Sequence, residues 1–504
     1  MKSQNILGIS AGFHDAAVSM LDSKGNILFA GHAERYSKRK NDAHVNDALI
    51  AAALHHGAPG TVAYYERPWV KKLQQAYSGQ YNEAFDLGSF TVGQYLRRHL
   101  SPGQNRQSLL GARHYYSGHH QSHAAAGFQT SPFDRATVVV IDAIGELDTV
   151  TIWGAEYSSS GKAKYTRLWT RRYPHSIGMF YSAITQRIGL HPMDEEYITM
   201  GMAAYGQPGQ SVVLKHYLVQ DEKEILFKTN MHLGLDEMFM AGTSDNDLAA
   251  MAQELCEKLV YNIMQRAANF KWSDNLVYMG GVALNCSANR NLGKYFDNIW
   301  IMPSPGDSGS SLGAAAMAYG GRLDWNNAFL GDCIPGAYPV DATIDVLLRD
   351  RIVGVASGRA EFGPRALGNR SLLADPRGPD IKDKVNEIKR RQQFRPFAPV
   401  ILEEMADQYF DMPKGFSTSP YMQTIAHCKH PDVYPAIVHH DGTSRVQTVP
   451  NDSSGIRLLL EKWFALTGCP MLLNTSLNIR GEPVVNDRTD ANRFEKLYNV
   501  TVCS

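Results

Sequence analysis

His119-His-Gln-Ser-His123 opens a stretch that continues through Ala124-Ala-Ala-Gly-Phe-Gln-Thr130 to Ala136-Thr-Val-Val-Val-Ile-Asp142. Histidines four residues apart share one face of a helix, about one turn from each other. The β-branched run after them reads as a short buried strand that ends on a carboxylate, Asp142. A helix feeding a strand in this way is α/β architecture. Two imidazoles and a carboxylate suit a divalent metal with open coordination positions. The same spacing also arises in a helix with two ordinary histidines beside a core strand, so the pair alone leaves both readings open.

The rest of the chain sets bounds on that choice. Its 504 residues are 44% hydrophobic and 20% charged, a globular composition with room for two to four domains. Lys+Arg and Asp+Glu both number 50, which excludes a bulk polyanion binder while allowing a local basic groove. The six cysteines are scattered with no C-x-x-C spacing, against a zinc ribbon or a disulfide scaffold and for a reducing compartment. Met1-Lys-Ser-Gln-Asn leads straight into strand-like Ile6-Leu-Gly-Ile9, and no segment approaches the ~20 apolar residues of a membrane span. A cytoplasmic protein with no membrane partner is expected.

Residues 5–35 alternate strand, tight turn, strand, turn, strand, with Gly25 and Asn26 expected at the positive-φ positions of a hairpin. His14 and Asp15 sit on the first turn, an unusual place for such a pair. Glu34-Arg35 and Lys38-Arg39-Lys40 read as a solvated helix face, and residues 44–110 as helical and mixed. Gly201 and Gly206 suggest close helix packing or backbone approach to a ligand. Asn275-Leu-Val-Tyr-Met279 is a strand opening into Gly280-Gly281-Val-Ala-Leu-Asn285, a pattern that can present backbone amides to a nucleotide. In Met302-Pro-Ser-Pro-Gly-Asp307-Ser-Gly, Asp307 precedes a small-residue helix, placed either to ligate a metal or to cap the helix.

Gly, Pro and Asn crowd residues 320–341, which divides the chain into 1–335 and 336–504. The second part is rich in arginine beside glycine, hydroxyl and amide residues: Arg365, Arg370, Lys389-Arg390-Arg391, Arg395, Arg445, then Asn474 and Ser476. That mixture suits a phosphate and nucleotide groove, and, with Phe394 and Phe397 interleaved, also a nucleic-acid surface. No internal repeat or low-complexity tract is visible.

In order, the motifs GISAGFHDAA, HAERYSKRK, HHQSHAA, IDAIGE, MGMAAYG, GGVALNCSAN, GDSGSSLGAA, GPRALGNRS, FRPFAP, DGTSRVQTV and NTSLN resemble the NodU/CmcH-type O-carbamoyltransferase family, which includes tobramycin carbamoyltransferase. The resemblance implies an α/β protein with an N-terminal actin-like ATPase (ASKHA) type domain and a C-terminal YrdC-like α/β domain. It implies carbamoyl-adenylate formation from carbamoyl phosphate and ATP in the second, then transfer to an acceptor hydroxyl in the first. By position in the motifs, His119, His123, Asp142 and Asp307 are the expected metal ligands, for Fe(II) or Mn(II), with Mg(II) accompanying ATP. His14 is the expected base or acceptor-positioning group. Lys389 and Arg395 are expected at the phosphates, with Arg365, Arg370, Ser476 and Asn474 as further contacts and Gly280, Gly281 and Asn285 at the nucleotide. Three departures stand out: Ile198 where relatives usually carry lysine, Ala143 where glycine is usual, and Gln392 where glutamate is common.

The resemblance leaves the acceptor open. Candidates are a natural-product or sugar hydroxyl and a hydroxymethylated pyrimidine in phage DNA; a homodimer is compatible. Two other functions compete, threonylcarbamoyl transfer in tRNA modification and a non-catalytic actin-like nucleotide-binding scaffold.

Overall fold

The computed structural model describes residues 4–86 and 90–504; the first three residues of the chain start, and 87–89 within the stretch read as helical and mixed, lie outside it. The opening meander forms as expected: β1 (Asn5–Ser10), β2 (Ala17–Leu21) and β3 (Ile27–His32) pair antiparallel. Gly25 takes the positive φ of the hairpin, but Asn26 does not. Asn26 instead donates through its backbone and side-chain nitrogens to the Asp22 carboxylate, which holds the turn closed.

β4 (Pro59–Tyr64) and β5 (Arg113–Tyr116) extend this sheet in parallel, giving the order β3-β2-β1-β4-β5. β4 corrects the helical reading of 44–110. Pro59 and Gly60 mark a turn in sequence, yet proline is tolerated as the first residue of a strand.

A second five-stranded sheet follows. β6 (Arg135–Gly145), β7 (Asp148–Tyr157) and β8 (Ala163–Arg172) pair antiparallel, and the small hairpin β9 (Val219–Asp221) and β10 (Leu226–Phe227) lies apart. β11 (Asn275–Met279) and β12 (Asn298–Trp300) then add in parallel, in the order β12-β11-β6-β7-β8. Both sheets therefore run third, second, first, fourth, fifth in their own chain order. The first 330 residues are a duplicated topology although their sequence shows no repeat.

Helices His119–Thr130 and Ser310–Tyr319 pack against each other, and both are built of small residues. A Cβ on Gly313 would lie 1.8 Å from the Ser122 carbonyl oxygen, and one on Gly8 1.9 Å from that of Ser311. Glycine at 313 and 8 is thus what lets Ser310–Tyr319 settle onto the neighbouring helix and onto β1.

Beyond this, a cross-strand pair is made by β13 (Phe329–Ile334) and β15 (Gly358–Glu361). The six-stranded mixed sheet is built from β14 (Ile352–Ala356), β16 (Arg370–Ala374), β17 (Ala398–Leu402), β21 (Gln447–Val449), β22 (Met471–Ser476) and β23 (Val502–Cys503), in the order β21-β17-β22-β16-β14-β23, while β18 (Phe410–Asp411), β19 (Ala426–Cys428) and β20 (Thr443–Ser444) form a separate small sheet. One apolar cluster, from Ile334 to Cys503 and including Trp463, fills its core. Specific polar contacts join the two parts, alongside apolar ones such as Phe362 and Phe416 against residues of the first part. The Gly363 amide donates to His32 Nε2, Lys38 pairs with Asp490, and Arg480 pairs with Glu195. Arg35 is buried in this seam, which corrects the reading of its segment as a solvated face. Among the described residues no helix is long and apolar enough to cross a membrane, and all six cysteines are free.

Candidate active site

The i, i+4 spacing does bring His119 and His123 together: their Nε2 atoms are 3.2 Å apart. The helix is fixed for this, because the Ser122 hydroxyl donates to the Tyr65 carbonyl (2.7 Å) on its other side. β6 runs past Asp142 to Gly145, further than its sequence suggests, with a register shift between Ile141 and Gly145. Such an irregularity re-aims a side chain out of the ladder. The Asp142 carboxylate lies 3.2 Å from His123 Nε2 and 3.3 Å from His119 Nε2. Asp307 makes no capping bond at the start of Ser310–Tyr319; its carboxylate is 3.2 Å from His119 and 3.3 Å from His123. One ligand atom from each of the four residues lies within 4.8 Å of all the others, and all four residues are buried.

Hydrogen bonding decides what this cluster holds. His123 Nδ1 faces the Pro305 carbonyl at 3.1 Å, which can only accept, so the imidazole proton sits on Nδ1. His119 Nδ1 faces the buried Glu66 carboxylate at 3.4 Å with the same result. Both Nε2 lone pairs then meet two carboxylates with no donor between them. Burial opposes charge on Asp142 and Asp307, but the imidazoles hold both well below the usual carboxylate range; burial likewise opposes charge on the histidines, and the carboxylates push both upward. With both imidazoles neutral, as ligation requires, the two carboxylates leave a net charge of about −2, and the donor set is the mixed N/O kind that divalent transition metals take. The residues fit a divalent cation. His120, by contrast, turns to Thr151.

His14 stands at the edge of this cluster, with Nε2 3.9 Å from Asp307 and Nδ1 3.0 Å from Asp15. Burial would lower its pKa, but Asp15, Asp307 and Asp142 together raise it to about 9.

The Gly280-Gly281 turn serves the cluster. The Gly281 amide donates to Asp142 Oδ1 (3.1 Å) and the Gly280 amide to the Pro305 carbonyl (2.9 Å), so neither amide is left for a nucleotide phosphate. Asn285 exchanges two bonds with Gln253 and caps the turn at Ala288, which occupies both ends of its side-chain amide.

In the second part, Lys389 is buried with Nζ donating to the Ser476 carbonyl (2.5 Å) and to the Asn478 carbonyl (2.9 Å). Lys389 and Ser476 are therefore brought together as expected neighbours. Burial, then Arg391 and Arg395, depress the lysine pKa well below its usual value. Burial and then Arg445 lower Arg365 to about 9, while Arg395 is lowered by burial against the favourable Tyr197, over whose ring it lies at 4.8 Å. Arg391 and Arg445 are lowered chiefly by burial too. No carboxylate pairs with Lys389, Arg365, Arg391, Arg395 or Arg445 among the described ion pairs. Arg391 and Arg445 are the members the sequence reading passed over as site residues, though both lie in its quoted motifs.

Two expected contacts go elsewhere. Arg370 is fully buried, and its five N–H groups donate to the carbonyls of Asn486, Ser357, Asn369, Asp332 and Gly358, so none is free for phosphate. The Asn474 amide nitrogen is taken by the Ala366 carbonyl and by Gln447.

Comparison with known proteins gives the family. Family models described as Carbamoyltransferase N-terminus and Carbamoyltransferase C-terminus match residues 103–316 and 344–502. An uncharacterized protein of Synechocystis sp. is 32% identical over 97% of this chain and 94% of its own. The nodulation protein NolNO of Sinorhizobium fredii is 31% identical over 97% of this chain and 78% of its own. Component A of (R)-2-hydroxyglutaryl-CoA dehydratase from Acidaminococcus fermentans aligns over 63% of this chain and 98% of its own at 13% identity and a TM-score of 0.34, too low to argue from. The chain belongs to the carbamoyltransferase family, and it is an enzyme of carbamoyl transfer.

Proposed function

We propose that this carbamoyltransferase is ATP-dependent and works in two stages. Residues 336–504, read as YrdC-like, first hydrolyse carbamoyl phosphate with one water to carbamate and phosphate; the carbamate oxygen then attacks the α-phosphorus of ATP, forming carbamoyl-adenylate and releasing pyrophosphate. Residues 1–335, read as actin-like, pass the carbamoyl group to an acceptor hydroxyl and release AMP. The observation that carries this is the group of five cations, buried Lys389 with half-buried Arg365, Arg391, Arg395 and Arg445, crowded together with no carboxylate partner among the described ion pairs. Uncompensated buried charge is costly, so such a group is built for a polyanion that arrives with the substrates. The twin sheets of equal strand order support the actin-like reading, and the mixed six-stranded sheet supports the YrdC-like one.

A carbamate carbonyl is a poor electrophile, and adenylation installs a leaving group whose developing charge cationic donors stabilise. His14 Nε2 faces the cluster rather than Asp15, and the ring, held protonated by the surrounding carboxylates, is the donor that positions the acceptor there. A divalent cation, Fe(II) or Mn(II) by donor type, would be held by His119, His123, Asp142 and Asp307 and would supply a Lewis acid for phosphate oxygens. Zero net charge favours a small-molecule hydroxyl as acceptor over hydroxymethylated DNA, whose use would make turnover fall steeply with salt.

The test is AMP and pyrophosphate release from ATP with and without carbamoyl phosphate, for wild type, Lys389→Ala and His119→Ala. Release that needs carbamoyl phosphate and disappears in Lys389→Ala is expected. Donor-independent release, or none from folded metal-loaded enzyme, would overturn the two-stage reading in favour of tRNA threonylcarbamoylation or a nucleotide-binding scaffold.

A further inference from the structure

Glu66 lies just beyond β4 in a region whose sequence announces no chemistry, yet it is almost completely buried. A buried carboxylate must be paired or hydrogen-bonded to be tolerated. Its two oxygens have separate partners: Oε1 meets Lys71 Nζ at 2.9 Å, and Oε2 faces His119 Nδ1 at 3.4 Å. The chain around it is held rigidly. The Tyr65 carbonyl accepts from Ser122, the Tyr65 ring stands 5.0 Å from the His119 ring, and the Arg67 backbone amide and guanidinium both bond Glu146. The two histidines of the cluster thus differ behind the ring, one backed by a neutral carbonyl, Pro305, the other by a carboxylate.

We infer that Glu66 is a positioning residue for the metal centre: its carboxylate, anchored by Lys71, fixes His119 in the tautomer and ring orientation that aims an Nε2 lone pair at Asp142, Asp307 and His123. The inference rests on the metal-centre reading above. A carboxylate behind a ligating imidazole raises the basicity of the ligand atom, and removing it weakens metal affinity by about 10–100-fold. A side-chain amide at position 66 keeps the shape but can turn its NH2 toward Nδ1. That would place the ring proton on Nε2, where it blocks ligation. Were Glu66 only the partner of Lys71 in a buried ion pair, the variant would alter stability and leave the metal untouched.

The test titrates Co(II) into the full-length metal-free protein and follows its ligand-field absorption, with thermal unfolding in parallel. Wild type, Glu66→Gln, Lys71→Met, His119→Ala and Asp307→Asn are compared. We expect Glu66→Gln to bind Co(II) 10–100-fold more weakly with a changed spectrum. Lys71→Met, which leaves the carboxylate at His119, should stay within a few-fold of wild type. If Glu66→Gln matches wild type in affinity and spectrum while His119→Ala and Asp307→Asn lose the metal, the inference is wrong and the centre stands. If those two ligand variants also bind normally, the metal-centre reading itself fails and the inference goes with it.

Discussion

Replacing Gly313 by alanine should disable the metal cluster without touching any of its ligands. The new Cβ would sit 1.8 Å from the Ser122 carbonyl oxygen, 2.5 Å from its carbon and 3.1 Å from its Cα. All three are backbone atoms, so no rotamer change relieves the clash. Reaching ordinary contact at about 3.4 Å means opening the two helices by roughly 1.5 Å, a strain of about 1–3 kcal/mol for overpacking. One helix carries His119 and His123, and the other follows directly on Asp307, with imidazole-to-carboxylate distances of 3.2–3.3 Å between them. Metal–ligand bonds tolerate only about 0.2 Å, so a 1.5 Å opening takes Asp307 out of range. Metal titration and thermal unfolding of Gly313→Ala should show at least tenfold weaker binding and a lowered midpoint. Gly111→Ala, at the end of helix Gln104–Gly111 with open space around it, serves as the control and should bind normally. Wild-type metal affinity in Gly313→Ala would refute the claim that this helix contact sets the ligand spacing.

Three further outcomes are expected. Arg370→Met removes five hydrogen bonds from enclosed carbonyls and should destabilise the protein by about 3 kcal/mol or more in urea unfolding; a raised KM for ATP with unchanged stability would instead make Arg370 a phosphate contact. Because the Lys389 pKa is depressed in the fold, the unfolded chain binds a proton that the folded chain lacks as pH falls below the usual lysine range. ATP binding to wild type should then take up protons, seen as buffer-dependent binding enthalpy; buffer-independent enthalpy would count against it. Arg445→Ala relieves the crowding on Arg365 and Arg391, so it should raise the thermal midpoint while raising KM for ATP about tenfold or more; a lowered midpoint with unchanged KM would assign Arg445 to packing.

What could be read from sequence was local. The His119/His123 spacing is set by helix geometry and Asp142 by a β-branched run, so both were visible in a short window. Asp307 was visible only as a choice between ligand and cap, because the absent capping bond is a three-dimensional fact. Glu66 was hidden: it follows a strand whose Pro-Gly start looks like a turn, and its partner His119 is 53 residues away. Arg365 and Arg370 share one motif and one chemistry, yet the first remains in the cationic group while the second is enclosed by carbonyls. The duplicated sheets escaped because equal strand order needs no equal sequence, and the second copy carries long helical insertions between its third and fourth strands.

The division of the chain into a part with the His/Asp cluster and a cationic part is chemical rather than mechanical. The loop that delivers Asp307 is gripped from the other side: Gln423 donates to the Ile301 carbonyl, and its own carbonyl accepts from Asn289. The Pro303 carbonyl lies so near Gly363 that a Cβ there would meet it at 2.6 Å. Gly363 opens the same motif that carries Arg365, and its amide bonds His32, whose burial and neighbouring Arg35 keep the ring neutral at a pKa of about 3. One rigid run of backbone therefore joins the loop of a metal ligand to the base of the cationic group. An acyl adenylate, the intermediate proposed above, would gain from such a construction, because the site proposed to make it and the site proposed to consume it would keep a fixed separation.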